Sequence, residues 1–291
     1  MSQQFTGAGV ALITPFDSNN QIDVKALETV VQNQVKGGID YLVALGTTAE
    51  TSTLSISEKA KVIEIVKKNA GNLPVVVGIG GNNTQNVIDT IKSTNLEGVS
   101  GILMVTPYYN RPTQEGLFRH YMAAAGASPL PIILYNVPSR TGVNLETETV
   151  VRLAESSEKF VAVKEASGSL QQITGIIKNA PEYFTMISGD DGLALPTIAV
   201  GGKGLISVIA NALPEKVSKM VHLSMDGNFA GAAKIHADLS DLLKFIFAEG
   251  NPGGVKALMN YMGVVENELR LPLYKVSDKT RDEIIKAYQK L

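Results

Sequence analysis

Eight short apolar runs recur along the chain, at residues 9–14, 41–46, 74–80, 101–107, 131–138, 160–167, 184–191 and 204–211. Each is about strand length and rich in Val, Ile or Leu. Their nearly unbroken hydrophobicity suits parallel strands covered on both faces. Stretches with apolar residues at helical spacing lie between them, at 57–67, 84–93, 114–125, 146–156 and 170–179. Ser57 and Thr84 are expected to be N-caps of two of these helices. Strand and helix patterns alternating about eight times predict an α/β chain closed into a (β/α)8 TIM barrel. The rival, an open doubly wound sheet, announces a dinucleotide by a glycine-rich turn after its first strand. The first run here ends instead in Ile13-Thr14-Pro15-Phe16. Gly78-Ile79-Gly80-Gly81 lacks the dinucleotide spacing and reads as a tight turn or a close backbone approach. Beyond about residue 212 the pattern becomes helical, at 214–225, 229–247, 255–262 and 278–291. The first of these is expected to be the last helix of a barrel at 1–226 that carries the active site. The rest predict a C-terminal helical appendage at 227–291.

Composition narrows the function. The chain has 291 residues, 44% hydrophobic and 19% charged, the balance of an ordinary globular protein. A net charge of -2 gives no reason to expect nucleic acid as a partner. There is no cysteine, which excludes disulfides, thiolate metal sites and a cysteine nucleophile, and fits a reducing cytosol. The segment Met1-Ser2-Gln3-Gln4-Phe5-Thr6-Gly7 lacks the basic-then-apolar order of a leader. No apolar run reaches the ~20 residues of a membrane helix. A cytoplasmic protein is expected.

The most informative residue is Lys164, set inside the apolar run Phe160-Val161-Ala162-Val163-Lys164. An ammonium in a buried strand is costly, and a neutral amine there is a nucleophile that forms Schiff bases with carbonyl carbons. The alternative is a structural lysine paired with a carboxylate. Catalytic groups of a barrel sit at the C-terminal ends of its strands, and those ends are polar here. Tyr135 ends the fifth run beside Lys164, within reach if the two strands are neighbours, and can carry protons, with Thr47 able to pass one to it. Arg140 suits a substrate carboxylate held by two parallel hydrogen bonds, or else a surface or subunit ion pair. Tyr41 and Tyr183 are expected to be core aromatics with tied hydroxyls. Asp190 and Asp191 are expected to cap a helix or hold backbone amides, and His120, His222 and His236 lie in predicted helices. Metal catalysis and a histidine base are therefore disfavoured. The cluster Gly201-Gly202-Lys203-Gly204 precedes the last strand, so no phosphate cradle is expected at the mouth.

The strand-end motifs together resemble the 4-hydroxy-tetrahydrodipicolinate synthase family, among the pyruvate-dependent Schiff-base aldolases and lyases. They are Gly46-Thr47-Thr48-Ala49-Glu50, Thr106-Pro107-Tyr108-Tyr109-Asn110, Tyr135-Asn136-Val137-Pro138-Ser139-Arg140-Thr141-Gly142, Val163-Lys164-Glu165-Ala166, Ser188-Gly189-Asp190-Asp191 and Gly204-Leu205-Ile206-Ser207. The resemblance implies condensation of pyruvate with L-aspartate 4-semialdehyde, the first committed step toward lysine and diaminopimelate. It implies an imine on Lys164 and no other cofactor. Tyr135, Thr47 and Tyr109 match the family's proton relay, the last reaching into a neighbouring subunit's site. Thr48 matches the pyruvate carboxylate contact and Arg140 the residue that receives the semialdehyde carboxylate. Gly189 and Ile206 match backbone groups near the imine. A homotetramer built as a dimer of dimers is implied as well.

Two rivals share less of the pattern. N-acetylneuraminate lyases and 2-keto-3-deoxy sugar-acid aldolases keep the lysine, but Thr47-Thr48 and Ser139-Arg140-Thr141 look like the synthases. A non-catalytic ligand-binding barrel would have lost the lysine or the relay. Two departures stand out. Gly253-Gly254 replaces the family's usual Ile-Pro before Val255-Lys256, which is expected to loosen that turn. Ile56, Lys59 and Asn86 stand where lysine-inhibited members tend to carry histidines and a glutamate, while Tyr108 and Asn82 are retained. Weak or absent inhibition by lysine is expected.

Overall fold

A computed structural model describes residues 5–291. The first four residues of the segment read for a leader lie outside the described residues. Eight parallel strands close into one barrel in sequence order. They are β1 (Gly7–Ala11), β2 (Tyr41–Ala44), β3 (Val75–Gly78), β4 (Gly101–Val105), β5 (Ile132–Asn136), β6 (Phe160–Glu165), β7 (Thr185–Ser188) and β8 (Gly204–Ser207). The surrounding helices are α1 (Val24–Lys36), α2 (Ile56–Asn69), α3 (Thr84–Ser93), α4 (Gln114–Ala127), α5 (Pro138–Thr141), α6 (Thr147–Ser156), α7 (Leu170–Asn179), α8 (Ala194–Ala199) and α9 (Pro214–Met225). Three more follow, α10 (Phe229–Ile246), α11 (Gly253–Tyr261) and α12 (Asp278–Tyr288). The predicted barrel and the C-terminal helices are both present.

Strand alternation sorts the side chains into two cores. Tyr41, Val43, Val76, Leu103, Ile133 and Ile187 belong to the cluster that fills the barrel. A larger cluster, including Leu42, Val77, Ile102, Leu134 and Val163, packs the outer strand faces against the helices. In β6 the residue two before Lys164, Ala162, is interior, so Lys164 faces inward. Val163 and Glu165 face the helices by the same alternation.

Several local expectations need correction. Ser55, not Ser57, caps α2. Its hydroxyl accepts from the Glu58 amide at 3.2 Å and the Glu58 carboxylate accepts from the Ser55 amide at 2.8 Å. This reciprocal box places the cap two residues earlier and leaves Ser57 inside the first turn. Asn83, not Thr84, caps α3, accepting from the Asn86 amide at 3.2 Å, while the Thr84 hydroxyl is taken up by His120 Nδ1 at 2.9 Å. Tyr183 has its hydroxyl tied to the Ala154 carbonyl. Tyr41 is a core aromatic, but among the described residues its buried hydroxyl has no partner.

Glycines set the closest approaches. A Cβ on Gly78 would lie 2.1 Å from the Leu45 carbonyl oxygen, which explains the glycine as a close backbone approach between β2 and β3. Gly254 meets the same limit, since a Cβ there would lie 2.1 Å from the Ile246 carbonyl oxygen. The departure from the family pattern at Gly253-Gly254 therefore permits tight packing of α11 on α10 rather than a loose turn. Asn211 joins the first and last strands, accepting from the Ile13 amide at 3.0 Å and donating to the Ala11 carbonyl at 2.8 Å.

Candidate active site

The mouth at the strands' C-terminal ends opens into a cavity of about 640 Å³ lined by Thr47, Tyr108, Tyr135, Arg140 and Asn251 among others. β5 and β6 are neighbours, with Tyr135 opposite Lys164. The Lys164 amine stands 4.4 Å from the centre of the Tyr135 ring. Lys164 is 4% exposed. Among the described residues its amine has neither an ion-pair nor a hydrogen-bond partner. The alternative of a structural lysine tied to a carboxylate therefore does not hold for Lys164 within this chain. It does hold for a second buried lysine, Lys256, whose amine donates to Glu50 at 2.5 Å and to the Glu268 carbonyl at 2.8 Å. Burial pulls the Lys256 pKa down, against the opposing pull of Glu50.

The segment that follows β2 is strongly shaped. Thr47–Ala49 forms one turn of 3-10 helix between two left-handed residues, Leu45 at φ 56° and Glu50 at φ 54°. A non-glycine residue in that region costs roughly 1 kcal/mol or more and persists where surrounding contacts hold it. Here the Glu50 carboxylate accepts from Lys256 and from the Arg270 amide at 3.0 Å. The Arg270 guanidinium in turn donates to both Glu58 oxygens, at 2.9 and 2.6 Å. That contact, chiefly, holds the Glu58 carboxyl well below its usual range, at about 2. Thr48 is buried, and its hydroxyl accepts from Asn251 at 2.9 Å.

Gly189 directly follows β7, and Ile206 lies within β8. A Cβ on Gly189 would come within 3.0 Å of the Lys164 Cγ, so only glycine lets that backbone sit against the lysine stem. Ile206 belongs to the barrel interior. β7 and β8 are in register only at Ser188 and Leu205. Asp191 reinforces this seam, accepting from the Ser207 hydroxyl at 2.5 Å and the Val208 amide at 2.9 Å, while Asp190 accepts from the Gly192 amide at 2.8 Å. Both aspartates hold neighbouring groups, as expected from the sequence.

Arg140 sits on α5 at the cavity edge, and among the described residues it has no carboxylate partner. Its charge is available to an anion. Tyr109 is not brought to the cavity. It projects from the loop after β4, 88% exposed, at φ 73°. Thr47 and Tyr135 share the cavity but are not hydrogen-bonded to one another among the described residues. His120, His222 and His236 lie on α4, α9 and α10, away from the strand ends. Among the described residues no three His, Asp or Glu side chains group as metal ligands.

The sequence motifs include Glu165 and Lys256 but assign no role to them or to Asn251. Glu165 is 1% exposed and accepts from Asn136, from the Ser167 amide at 2.7 Å and from Gln172 at 2.9 Å. Its position next to Lys164 was visible, and strand alternation is the signal that it serves the outer face. Nothing local in the sequence links Asn251 or Lys256 to the Thr47–Ala49 turn.

A family model described as the dihydrodipicolinate synthetase family matches residues 4–291. A 4-hydroxy-tetrahydrodipicolinate synthase from Parabacteroides distasonis is 48% identical over 286 residues, covering 98% of this chain and 96% of that protein. The crystal structure of dihydrodipicolinate synthase from Aquifex aeolicus aligns with a TM-score of 0.95 at 39% identity over 98% of each chain. The chloride-inhibited dihydrodipicolinate synthase from Acinetobacter baumannii, complexed with pyruvate, aligns with a TM-score of 0.95 at 37% identity, again over 98% of each. These likenesses favour the synthases over the sugar-acid lyases.

Proposed function

This chain belongs to the dihydrodipicolinate synthetase family, and we propose that it condenses pyruvate with L-aspartate 4-semialdehyde through an imine on Lys164. The observation that carries this reading is the buried amine of Lys164, without a polar partner among the described residues, set against the ring of Tyr135, which lines a cavity that Arg140 also lines.

The amine of Lys164 attacks the ketone carbon of pyruvate, and the carbinolamine loses water to give the imine. Thr48 donates to the pyruvate carboxylate, and the backbone at Gly189 and Ile206 borders the imine. Removal of a methyl proton gives the enamine, whose carbon attacks the aldehyde of the semialdehyde. Tyr135 protonates the new alkoxide, with Thr47 passing protons to it. Arg140 holds the semialdehyde carboxylate by two parallel hydrogen bonds. The amine of the condensed product then attacks the imine carbon, releases Lys164 and closes a six-membered ring. Tyr109, exposed in the single chain, completes the relay of a neighbouring copy in a homotetramer built as a dimer of dimers. The proposal takes residues 1–226 as the barrel that holds the site and 227–291 as a helical domain. It also includes a cytoplasmic setting and needs no cofactor beyond the covalent imine.

The test is the Lys164→Ala variant in a coupled assay with both substrates. Nearly all turnover should be lost while the circular dichroism spectrum is unchanged. Turnover near that of the wild type would overturn the assignment.

A further inference from the structure

The Thr48 hydroxyl lies 2.9 Å from Nδ2 of Asn251. A hydroxyl has one proton to give and two lone pairs to receive with. The amide N–H of Asn251 can only donate, so this bond occupies the acceptor side of Thr48. Its proton is left uncommitted, since among the described residues no other group bonds to that hydroxyl. Among the described residues the buried Asn251 carbonyl oxygen has no partner. The reverse amide orientation would leave both N–H donors of this amide unpartnered, where the present one satisfies one of them.

Asn251 does not reach Thr48 by chance placement of a loop. It precedes α11, and one turn into that helix Lys256 is ion-paired to Glu50, two residues beyond Thr48. Both side chains of this pair are fully buried. The C-terminal segment therefore grips the turn after β2 at two points, and Gly254 lets α11 lie close enough to α10 to do so.

We propose that Asn251 is a positioning residue that fixes the Thr48 hydroxyl as a proton donor toward the pyruvate carboxylate, so that the C-terminal segment sets affinity for the first substrate. The inference rests on Thr48 being the pyruvate carboxylate contact. A hydroxyl oriented as a donor suits an anion, whereas a hydroxyl already donating to its own protein repels one.

The two conservative replacements of Asn251 separate this role from a structural one. Asn251→Asp keeps the shape but offers only acceptors, so it draws the Thr48 proton away from the cavity. Asn251→Ala removes the partner and lets the hydroxyl turn freely. Steady-state kinetics should show the pyruvate KM raised roughly tenfold or more in Asn251→Asp and less in Asn251→Ala, the scale of a hydrogen bond to a charged group. The semialdehyde KM should change by less than about twofold in both, as expected for an uncoupled site. Equal rises in both KM values, or a larger pyruvate effect in the alanine variant, would overturn the proposal.

If Asn251→Asp does not fold, a double-mutant cycle decides. Thr48→Val should raise the pyruvate KM, and adding Asn251→Ala should raise it by less than about twofold more. Independent, multiplying effects would overturn the role of Asn251. Borohydride trapping on the wild type separates the two readings. With no reduced pyruvate adduct, both the proposed function and this inference fall. With an adduct but an unchanged pyruvate KM in Asn251→Asp, only the inference falls.

Discussion

The side-chain amide of Asn136 donates to both carboxylate oxygens of Glu165, at 3.1 and 3.0 Å. These two residues are opposed across β5 and β6, one step beyond the opposed pair Tyr135 and Lys164. Because alternate residues of a strand point to opposite faces, each strand ends in one inward and one outward functional side chain. The outward pair is locked by hydrogen bonds on the helix side. Of the inward pair, Tyr135 lines the cavity and Lys164 lies against its ring. The locked pair fixes the register on which the inward pair depends.

Glu165→Gln tests this relation. The carboxylate accepts from Asn136, Ser167 and Gln172, and a glutamine would turn one acceptor into a donor facing donors. A buried mismatch of this kind costs about 1–3 kcal/mol. The urea midpoint should fall by a corresponding amount, and imine formation should slow because Lys164 and Tyr135 lose their fixed register. A variant with unaltered stability and imine rate would show that the outer pair does not hold the inner one.

Asp191 gives the fold a pH dependence of defined sign. Burial, with a smaller push from Asp190, raises its pKa from 3.8 to about 6, although the bonds from Ser207 and Val208 pull the other way. The folded state thus binds this proton more tightly than the unfolded chain does. Its contribution is fully present below pH 3.8 and is lost as the pH rises through about 6. Relative to the wild type, Asp191→Asn should therefore gain stability as the pH rises across that window, levelling off above it. The gain is on the order of 3 kcal/mol at neutral pH. Urea unfolding of both proteins across this pH range checks it, and a difference that is flat or shrinks with rising pH would contradict it.

Lysine should inhibit this protein weakly or not at all. Lys59 lines the same cavity as Tyr108, so its ammonium would face that of the effector. Asn86, exposed on α3, offers no charge to offset it. Like charges at close range disfavour binding. The check is an initial-rate titration with lysine, and an inhibition constant below about a millimolar, the affinity of a weak ligand, would contradict the expectation.

The sequence made the barrel legible because its strands are continuous apolar runs, and Lys164 stood out as the ionisable residue inside one of them. Helix α8 was not singled out, being six residues long with Pro196 within it, too short for a periodic signal. Helix α1 was also passed over, although Leu27, Val30 and Val31 recur at helical spacing and Asp23 caps it. Strand bounds were read too far at β8, where the apolar run continues into the turn Ile209–Asn211. The cavity residues came from motifs at strand ends, but their supports came from far away. Asn251 is 203 residues from Thr48, and Lys256 is 206 from Glu50. No local pattern marks partners at that separation, because the barrel's closure and the packing of α11 bring them together.

The central claim is that Lys164 carries pyruvate as an imine and passes it to the semialdehyde. Intact-protein mass spectrometry after borohydride reduction reads this directly. With pyruvate alone, a reduced adduct of pyruvate mass should form on the wild type and be absent from Lys164→Ala. Adding L-aspartate 4-semialdehyde before the reductant should discharge it. An adduct that persists in Lys164→Ala, or no adduct on the wild type, would contradict the account.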